Sequence, residues 1–377
     1  MTETLTGRAT HSGELIDVVV SGDVIERVEA RPGDGSDVPW LLPGLVDLQV
    51  NGWAGHDVNG PQVTADEVIA LVRALAASGT TTVVPTVITA TQEEILTSLR
   101  AITAARHQDA QTRAAIPFVH IEGPHISAQD GPRGVHPAQE VRGVDRGEFE
   151  QWQQAAEGLV GIVTLSPHHE GAPDYIRSLV ADGVIAAIGH THASPEEIRA
   201  AVAAGASMST HLGNGAHGQI TRHPNYIWTQ LDEDALTACF IADGHHLPAD
   251  TLRVMLRAKG LDNSVLVSDS VALGGQEPGE YRTPVGGRVV LDANGRLSEY
   301  GTPFLAGAAC ALHTGVRTCV QDLGLSLADA VRLATVNPGR FTGRRGVLAP
   351  GQRADLVLLD DQLAIQRVLA GGRDALG

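Results

Sequence analysis

A chain of 377 residues can bury one large core, and its length fits a barrel-sized domain with a small attached module better than a string of small domains. Its 27 basic and 44 acidic side chains leave a formal charge of −17, which excludes a general attraction to nucleic acid or to an anionic membrane surface. Three scattered cysteines, Cys239, Cys310 and Cys319, make neither a disulfide framework nor a Cys-x-x-Cys zinc motif.

Residues 1–30 carry acids throughout and lack the basic-then-apolar order of a signal peptide, so a reducing cytoplasm is the expected location. No run of about 18 uncharged apolar residues predicts a membrane span. The first β-type runs are Ile16 to Val20 and Val24 to Val28, separated by the turn-forming Ser21-Gly22-Asp23. Eight short apolar runs follow: Leu45 to Val50, Thr82 to Pro85, Phe118 to Glu122, Ile162 to Leu165, Ile185 to His190, Ser207 to His211, Thr237 to Ala242 and Val265 to Asp269. Ala-rich amphipathic segments such as Ala65 to Ser78 and Pro195 to Ala204 lie between them. Runs apolar on both faces suit buried parallel strands, with the helices as crossovers, and eight such units predict a (β/α)8 TIM barrel in the α/β class. Gly274 to Gly287 is expected to be a long loop after the last strand. At the far end Ala354 to Leu359 and Ile365 to Leu369 are further strands. Both termini are expected to build one small β-sandwich domain, residues 1–42 with 345–377, around a barrel of residues 43–344.

Polar residues at the C-terminal ends of barrel strands face the active site. Glu122, His190, His211 and Asp269 end the third, fifth, sixth and eighth runs. One carboxylate and two imidazoles suit a divalent ion such as Zn²⁺ in an open catalytic site, where the pKa of water falls to about 7. Asp269 across the site could then take a proton from that water and pass it to a leaving group. A lone His at a strand end is more often structural; four suitable residues on four strand ends point to chemistry. Spacing leaves His192 level with His190 as a ligand. His120 is expected to orient a ligand from behind. His125, His168, His169 and His217 read as loop histidines and Arg222 as a solvated charge.

The chain resembles the N-acetylglucosamine-6-phosphate deacetylases of the amidohydrolase superfamily. The likeness rests on Leu42-Pro43-Gly44-Leu45-Val46-Asp47, His120-Ile121-Glu122-Gly123-Pro124, Gly134-Val135-His136-Pro137, Gly189-His190 and Thr210-His211-Leu212-Gly213-Asn214, and continues through Ile241-Ala242-Asp243-Gly244-His245-His246, Ser268-Asp269, Leu305-Ala306-Gly307 and Gly351-Gln352-Arg353-Ala354-Asp355-Leu356. It implies hydrolysis of the 2-acetamido group of an amino-sugar 6-phosphate to acetate and an amine. It also implies His190 rather than His192 as metal ligand, Asp269 as catalytic acid/base, and His136 as a histidine that polarises the amide carbonyl. Asn214, Gly215, His246 and Leu305 match substrate-binding positions, and Arg222 matches a phosphate-holding arginine lent by a neighbouring subunit, hence a homodimer. Where many amidohydrolases carry the histidines of a second metal, this chain has Gln49 and Asn51, poorer zinc ligands than imidazole. One divalent ion is therefore expected, with Zn²⁺ favoured and Fe²⁺, Co²⁺ or Mn²⁺ accepted by the same donors.

Departures lie near the substrate: Asn214-Gly215-Ala216 in place of Asn-Ala-Met, Ser270-Val271-Ala272-Leu273-Gly274-Gly275 after Asp269, and Ala308 where Ser is usual. The competing readings are N-acetylgalactosamine-6-phosphate as substrate, an amidohydrolase of unphosphorylated N-acyl compounds or cyclic amides, and a non-catalytic binding protein that has kept the barrel.

Overall fold

The computed structural model describes residues 2–283, 287–302 and 304–376. Eight parallel strands lie side by side in sequence order: Leu45–Val50, Thr80–Ile88, Val119–Glu122, Val160–Leu165, Ile185–Ile188, Met208–Ser209, Thr237–Ile241 and Ser264–Val267. Almost every residue in them is buried, as the two-faced apolar runs require. Alternate side chains separate two cores. Val84, Ile162 and Ile241 point into the barrel with Val46, Leu48 and Val265, while their neighbours Val83 and Val163 point outward against Leu71, Ile95, Phe149 and Trp152 of the helical layer. Full burial of one such outer side chain contributes roughly 1.5–3 kcal/mol.

A helix follows each strand, and in several of them capping residues start it. In Pro195–Ala203 the Ser194 hydroxyl accepts from the Glu197 N–H at 3.2 Å, the Glu197 carboxylate accepts from the Ser194 N–H at 2.7 Å, and proline stands at the first helical position.

The first and eighth strands close the barrel by a different device from the regular ladders elsewhere. Asp47 Oδ1 accepts from the Gln49 N–H at 3.2 Å and reaches across to the Ser268 N–H at 3.1 Å. Beyond it, the Asp269 N–H donates to the Gln49 carbonyl at 2.9 Å and the Asn51 N–H to the Ser270 carbonyl at 2.8 Å. The seam is thus held low down by a buried carboxylate and, at the mouth, by the backbone that carries Asp269.

Residues from both ends form one seven-stranded sheet in the order Arg373–Asp374, Ile365–Ala370, Leu356–Leu359, Trp40–Pro43, Thr2–Ala9, Leu15–Ser21, Val24–Ala30. Period-two alternation gives it two apolar faces. Leu41, Leu356 and Leu369 pack with Leu5, Val18 and Ile25, while Leu42, Val357 and Val368 pack against the barrel helices. Trp40–Pro43 runs into the first barrel strand through Gly44, whose N–H donates to the Asp355 carbonyl at 2.8 Å; a Cβ there would lie 2.1 Å from the Thr81 hydroxyl, so only glycine fits.

One expectation is corrected. The stretch Gly274 to Gly287 is not a plain loop: Gly279–Thr283 is a strand, paired with Gly287–Leu291 and through it with Leu297–Glu299 in a small antiparallel sheet. The part of that expectation covering residues 284–286 lies outside the described residues. Strand Gly279–Thr283 buries none of its residues fully, so it lacks the apolar signature by which the other strands are recognised.

Candidate metal and catalytic site

Glu122 is the last residue of its strand, whereas His190, His211 and Asp269 each stand two residues beyond theirs. These three have φ of 46°, 27° and 50°. A non-glycine residue in this left-handed region costs on the order of 1–3 kcal/mol and persists only where its surroundings fix it. Its effect here is to turn the chain off each strand at the residue whose side chain enters the barrel mouth.

Three ligand atoms meet over that mouth. His211 Nε2 is 2.8 Å and His190 Nε2 3.2 Å from the same oxygen, Glu122 Oε1, and the two nitrogens are 3.1 Å apart. Donors about 2.0–2.1 Å from a tetrahedral ion stand roughly 3.3 Å from one another, so the triangle has the dimensions of a metal face. The donor set fits in kind as well. His190 Nδ1 lies 2.7 Å from the Pro132 carbonyl, to which it can only donate, so in the neutral ring Nε2 turns its lone pair toward the carboxylate oxygen. Converging lone pairs are stable when a cation lies between them. His136 comes in from the side, its ring 4.4 Å from that of His190, and Glu122, His136 and His190 can also bring one ligand atom each within 4.8 Å of one another.

Electrostatics agree. Burial alone would raise the Glu122 carboxyl, but hydrogen bonds to His190 and His211, with their charge, hold it well below the usual carboxylate range. Burial likewise opposes charge on His211, yet Glu122 and Asp269 raise its pKa to about 9. The two acids thus call for positive charge at this corner of the site, which a bound cation would supply in place of a proton. His136 is pushed down to about 3 by burial and then by His190, which keeps it neutral, and its Nδ1 has no hydrogen-bond partner among the described residues. Burial and the Glu122 charge raise Asp269 to about 6, against His211, His246 and a hydrogen bond from Asn51.

Gln49 and Asn51 sit on the inward face of the first strand's end and serve as donors. Gln49 Nε2 donates to Glu122 Oε1 at 3.0 Å and Asn51 Nδ2 to Asp269 Oδ1 at 2.8 Å. Both amides are thus spent on the acids.

The other expected residues divide. Asn214 is tied to the site through its N–H and Nδ2, which donate to the His211 carbonyl at 2.9 and 3.2 Å. Gly215 passes so close to His190 that a Cβ would lie 2.7 Å from Nδ1. Half-buried Leu305 bridges to Ser298 at the edge of the small antiparallel sheet. Arg222 is exposed on its loop, and among the described contacts none joins its side chain to the cluster. His192 is taken elsewhere: its Nδ1 is 2.6 Å from the Ser127 hydroxyl, its ring lies on His168, and it lines an outer cavity of about 330 Å³ together with Gln129 and His217. His120 does not orient a ligand directly, because it lies one inward-facing position below Glu122; its Nε2 meets Thr164 Oγ1 at 2.7 Å, and that hydroxyl meets Thr210 Oγ1 at 2.6 Å. Sequence reasoning passed over Asp47, whose pKa burial lifts to about 7; an acid inside an apolar strand, two residues before Gln49, was the available signal.

The pattern of the amidohydrolase family matches residues 40–374. The chain is 34% identical to the N-acetylgalactosamine-6-phosphate deacetylase of Shewanella sp. (strain ANA-3), over 88% of this chain and 81% of that one. It is 30% identical to the N-acetylglucosamine-6-phosphate deacetylase of Bacillus subtilis (strain 168), over 89% and 84%. Among solved structures, a variant of the N-acetyl-D-glucosamine-6-phosphate deacetylase of Mycobacterium smegmatis in complex with N-acetyl-D-glucosamine-6-phosphate superposes with a TM-score of 0.88 at 31% identity, covering all of both chains. No helix among the described residues is long and apolar enough to cross a membrane.

Proposed function

The chain belongs to the amidohydrolase family, and we propose that it hydrolyses the acetamido group of an N-acetyl amino sugar 6-phosphate, N-acetylglucosamine-6-phosphate in the first instance, releasing acetate and the free amine. The observation that carries this reading is the convergence of His190 Nε2 and His211 Nε2 on Glu122 Oε1 at 3.2 and 2.8 Å, in a chain about 30% identical to amino-sugar-phosphate deacetylases over most of its length.

Glu122, His190 and His211 would hold one divalent ion, with Zn²⁺ suited to two imidazoles and a carboxylate. Such an ion, when bound, polarises the amide carbonyl and makes water a better nucleophile. Asp269 takes a proton from the attacking water and returns it to the departing nitrogen, which leaves as an amine. Asn51 holds the acid in place for both transfers. His136, neutral and with a free Nδ1, faces the carbonyl oxygen and stabilises charge as it develops there. Asn214, Gly215, His246 and Leu305 line the sugar. Exposed Arg222 serves the phosphate of a second copy in a cytoplasmic homodimer, since a chain of charge −17 must place positive groups locally to hold an anion.

Because one relative at 34% identity acts on the galactosamine epimer, that sugar is the second candidate. The test is acetate release from N-acetylglucosamine and N-acetylgalactosamine, each with and without the 6-phosphate, alongside elemental analysis. Turnover of the phosphorylated sugars with about one metal per chain is expected; full activity after chelation, or a preference for the unphosphorylated compounds, would overturn the reading.

A further inference from the structure

His246 stands on the turn that follows the seventh barrel strand, and Asp243 begins that turn. The Asp243 carboxylate uses both oxygens: Oδ1 accepts from the N–H of His245 at 2.8 Å and of His246 at 2.9 Å, and Oδ2 faces His246 Nδ1 at 2.7 Å. Both side chains are nearly closed off from solvent, at 4% exposure for Asp243 and 9% for His246. Burial would raise the acid, but the hydrogen bond and charge of His246, with the two backbone donors, hold it at about 2. An ionised carboxylate only accepts, so Nδ1 must carry a proton and the neutral ring keeps its lone pair on Nε2. When protonated, the His246 ring would lower the pKa of Asp269, so it lies close to the acid at the reacting end of the site.

We infer that Asp243 is a positioning residue that fixes the tautomer of His246, so that Nε2 is presented to the sugar as a hydrogen-bond acceptor. The inference rests on the substrate role given to His246 above. Its chemistry makes an unusual demand on an isosteric change. Asparagine has one oxygen, and three hydrogens point at the carboxylate. If that oxygen stays with the two backbone N–H groups, the amide NH2 faces the imidazole, Nδ1 must become the acceptor and the proton moves to Nε2. Asp243→Asn therefore inverts the tautomer with little change of shape.

The test uses the metal-loaded protein labelled with ¹⁵N-histidine, with His246→Gln identifying the His246 signals. At pH 8 the unsubstituted protein should show a protonated Nδ1 and a bare Nε2, a readout that needs no variant to fold. Asp243→Asn should show the reverse, and KM for the phosphorylated sugar should rise on the order of tenfold to a hundredfold while kcat changes less, because the sugar hydroxyl that donated to Nε2 must turn to accept from it and gives up its other partner. Asp243→Glu, which keeps an acceptor-only group, should retain the original tautomer and recover part of KM. A bare Nδ1 in the unsubstituted protein, or a raised KM in Asp243→Asn with the tautomer unchanged, overturns the positioning role. An inverted tautomer with unchanged KM, or an unchanged KM in His246→Gln, overturns instead the substrate role of His246, and the spectra tell the two failures apart.

Discussion

One wall of the barrel mouth draws three side chains to a single oxygen. The opposite wall keeps its acid apart. Glu122 shares Oε1 with His190, His211 and Gln49, so its charge is neutralised from several sides and its proton affinity falls. Asp269, half-buried, receives one amide donor, and burial with the charge of Glu122 raises its pKa to about 6. Two carboxylates at one barrel mouth thus acquire opposite properties from their hydrogen bonds and from the charges beside them, one suited to holding a cation and the other to exchanging a proton near neutrality.

Removing the shared oxygen should break this division most severely. Glu122→Ala leaves two imidazoles with no acid between them, and elemental analysis should find the metal gone and turnover reduced to background; metal and turnover both retained would remove Glu122 from the ligand set. Asp269→Asn should spare the first wall, keeping metal content while kcat falls on the order of 10²–10⁴-fold. The same group sets an acid limb. A pKa raised to about 6 means that the carboxylate is lost as pH falls through that value, so kcat/KM should fall about tenfold per pH unit below it, and a profile flat down to pH 4.5 would contradict the assignment.

A smaller effect is expected at the seam below Asp269. Asp47 rises from an ordinary 3.8 to about 7 in the folded chain, so the folded state binds more protons than the unfolded one between those values. Its contribution to stability is complete below pH 4 and lost as pH rises to 7, a change of up to roughly 4 kcal/mol. Asp47→Asn should remove that slope from denaturant titrations across pH 4–7, and an unaltered slope would show that the group does not titrate there. The smallest effect belongs to the rim: Arg222→Gln should raise KM for the phosphorylated sugar about tenfold and leave the unphosphorylated analogue unchanged, whereas equal effects would detach Arg222 from the phosphate.

The two walls were unequally legible in the sequence. Glu122 and Asp269 stand out because an acid at the end of a two-faced apolar run has no reason to be there unless it is used. The choice between His190 and His192 was not legible from spacing, since residues two apart share a face on a continuing strand. The strand ends at Ile188, and the left-handed turn at His190 sends His192 to Ser127 instead. The identity of the closing bond at Asp47 was equally hidden, because it depends on which strand lies beside the first, and that is a property of closure. The small three-stranded antiparallel sheet escaped notice because its first strand, Gly279–Thr283, buries none of its side chains fully and its apolar residues are few.

The joint at Gly44 has a consequence for how the protein is made. The first barrel strand leaves its neighbour in the terminal sheet through Gly44, which is bonded to Asp355, and the strand before it is paired with Leu356–Leu359. Those partners leave the ribosome long after the strand they support. Synthesis runs from the amino end, and domains usually fold as they emerge, so here the opening strand of the barrel must wait for some three hundred residues before its support arrives. The nascent chain consequently carries a long, apolar, half-assembled barrel until Asp355 and Leu356–Leu359 emerge, and it is in that interval that demand for chaperones should be greatest.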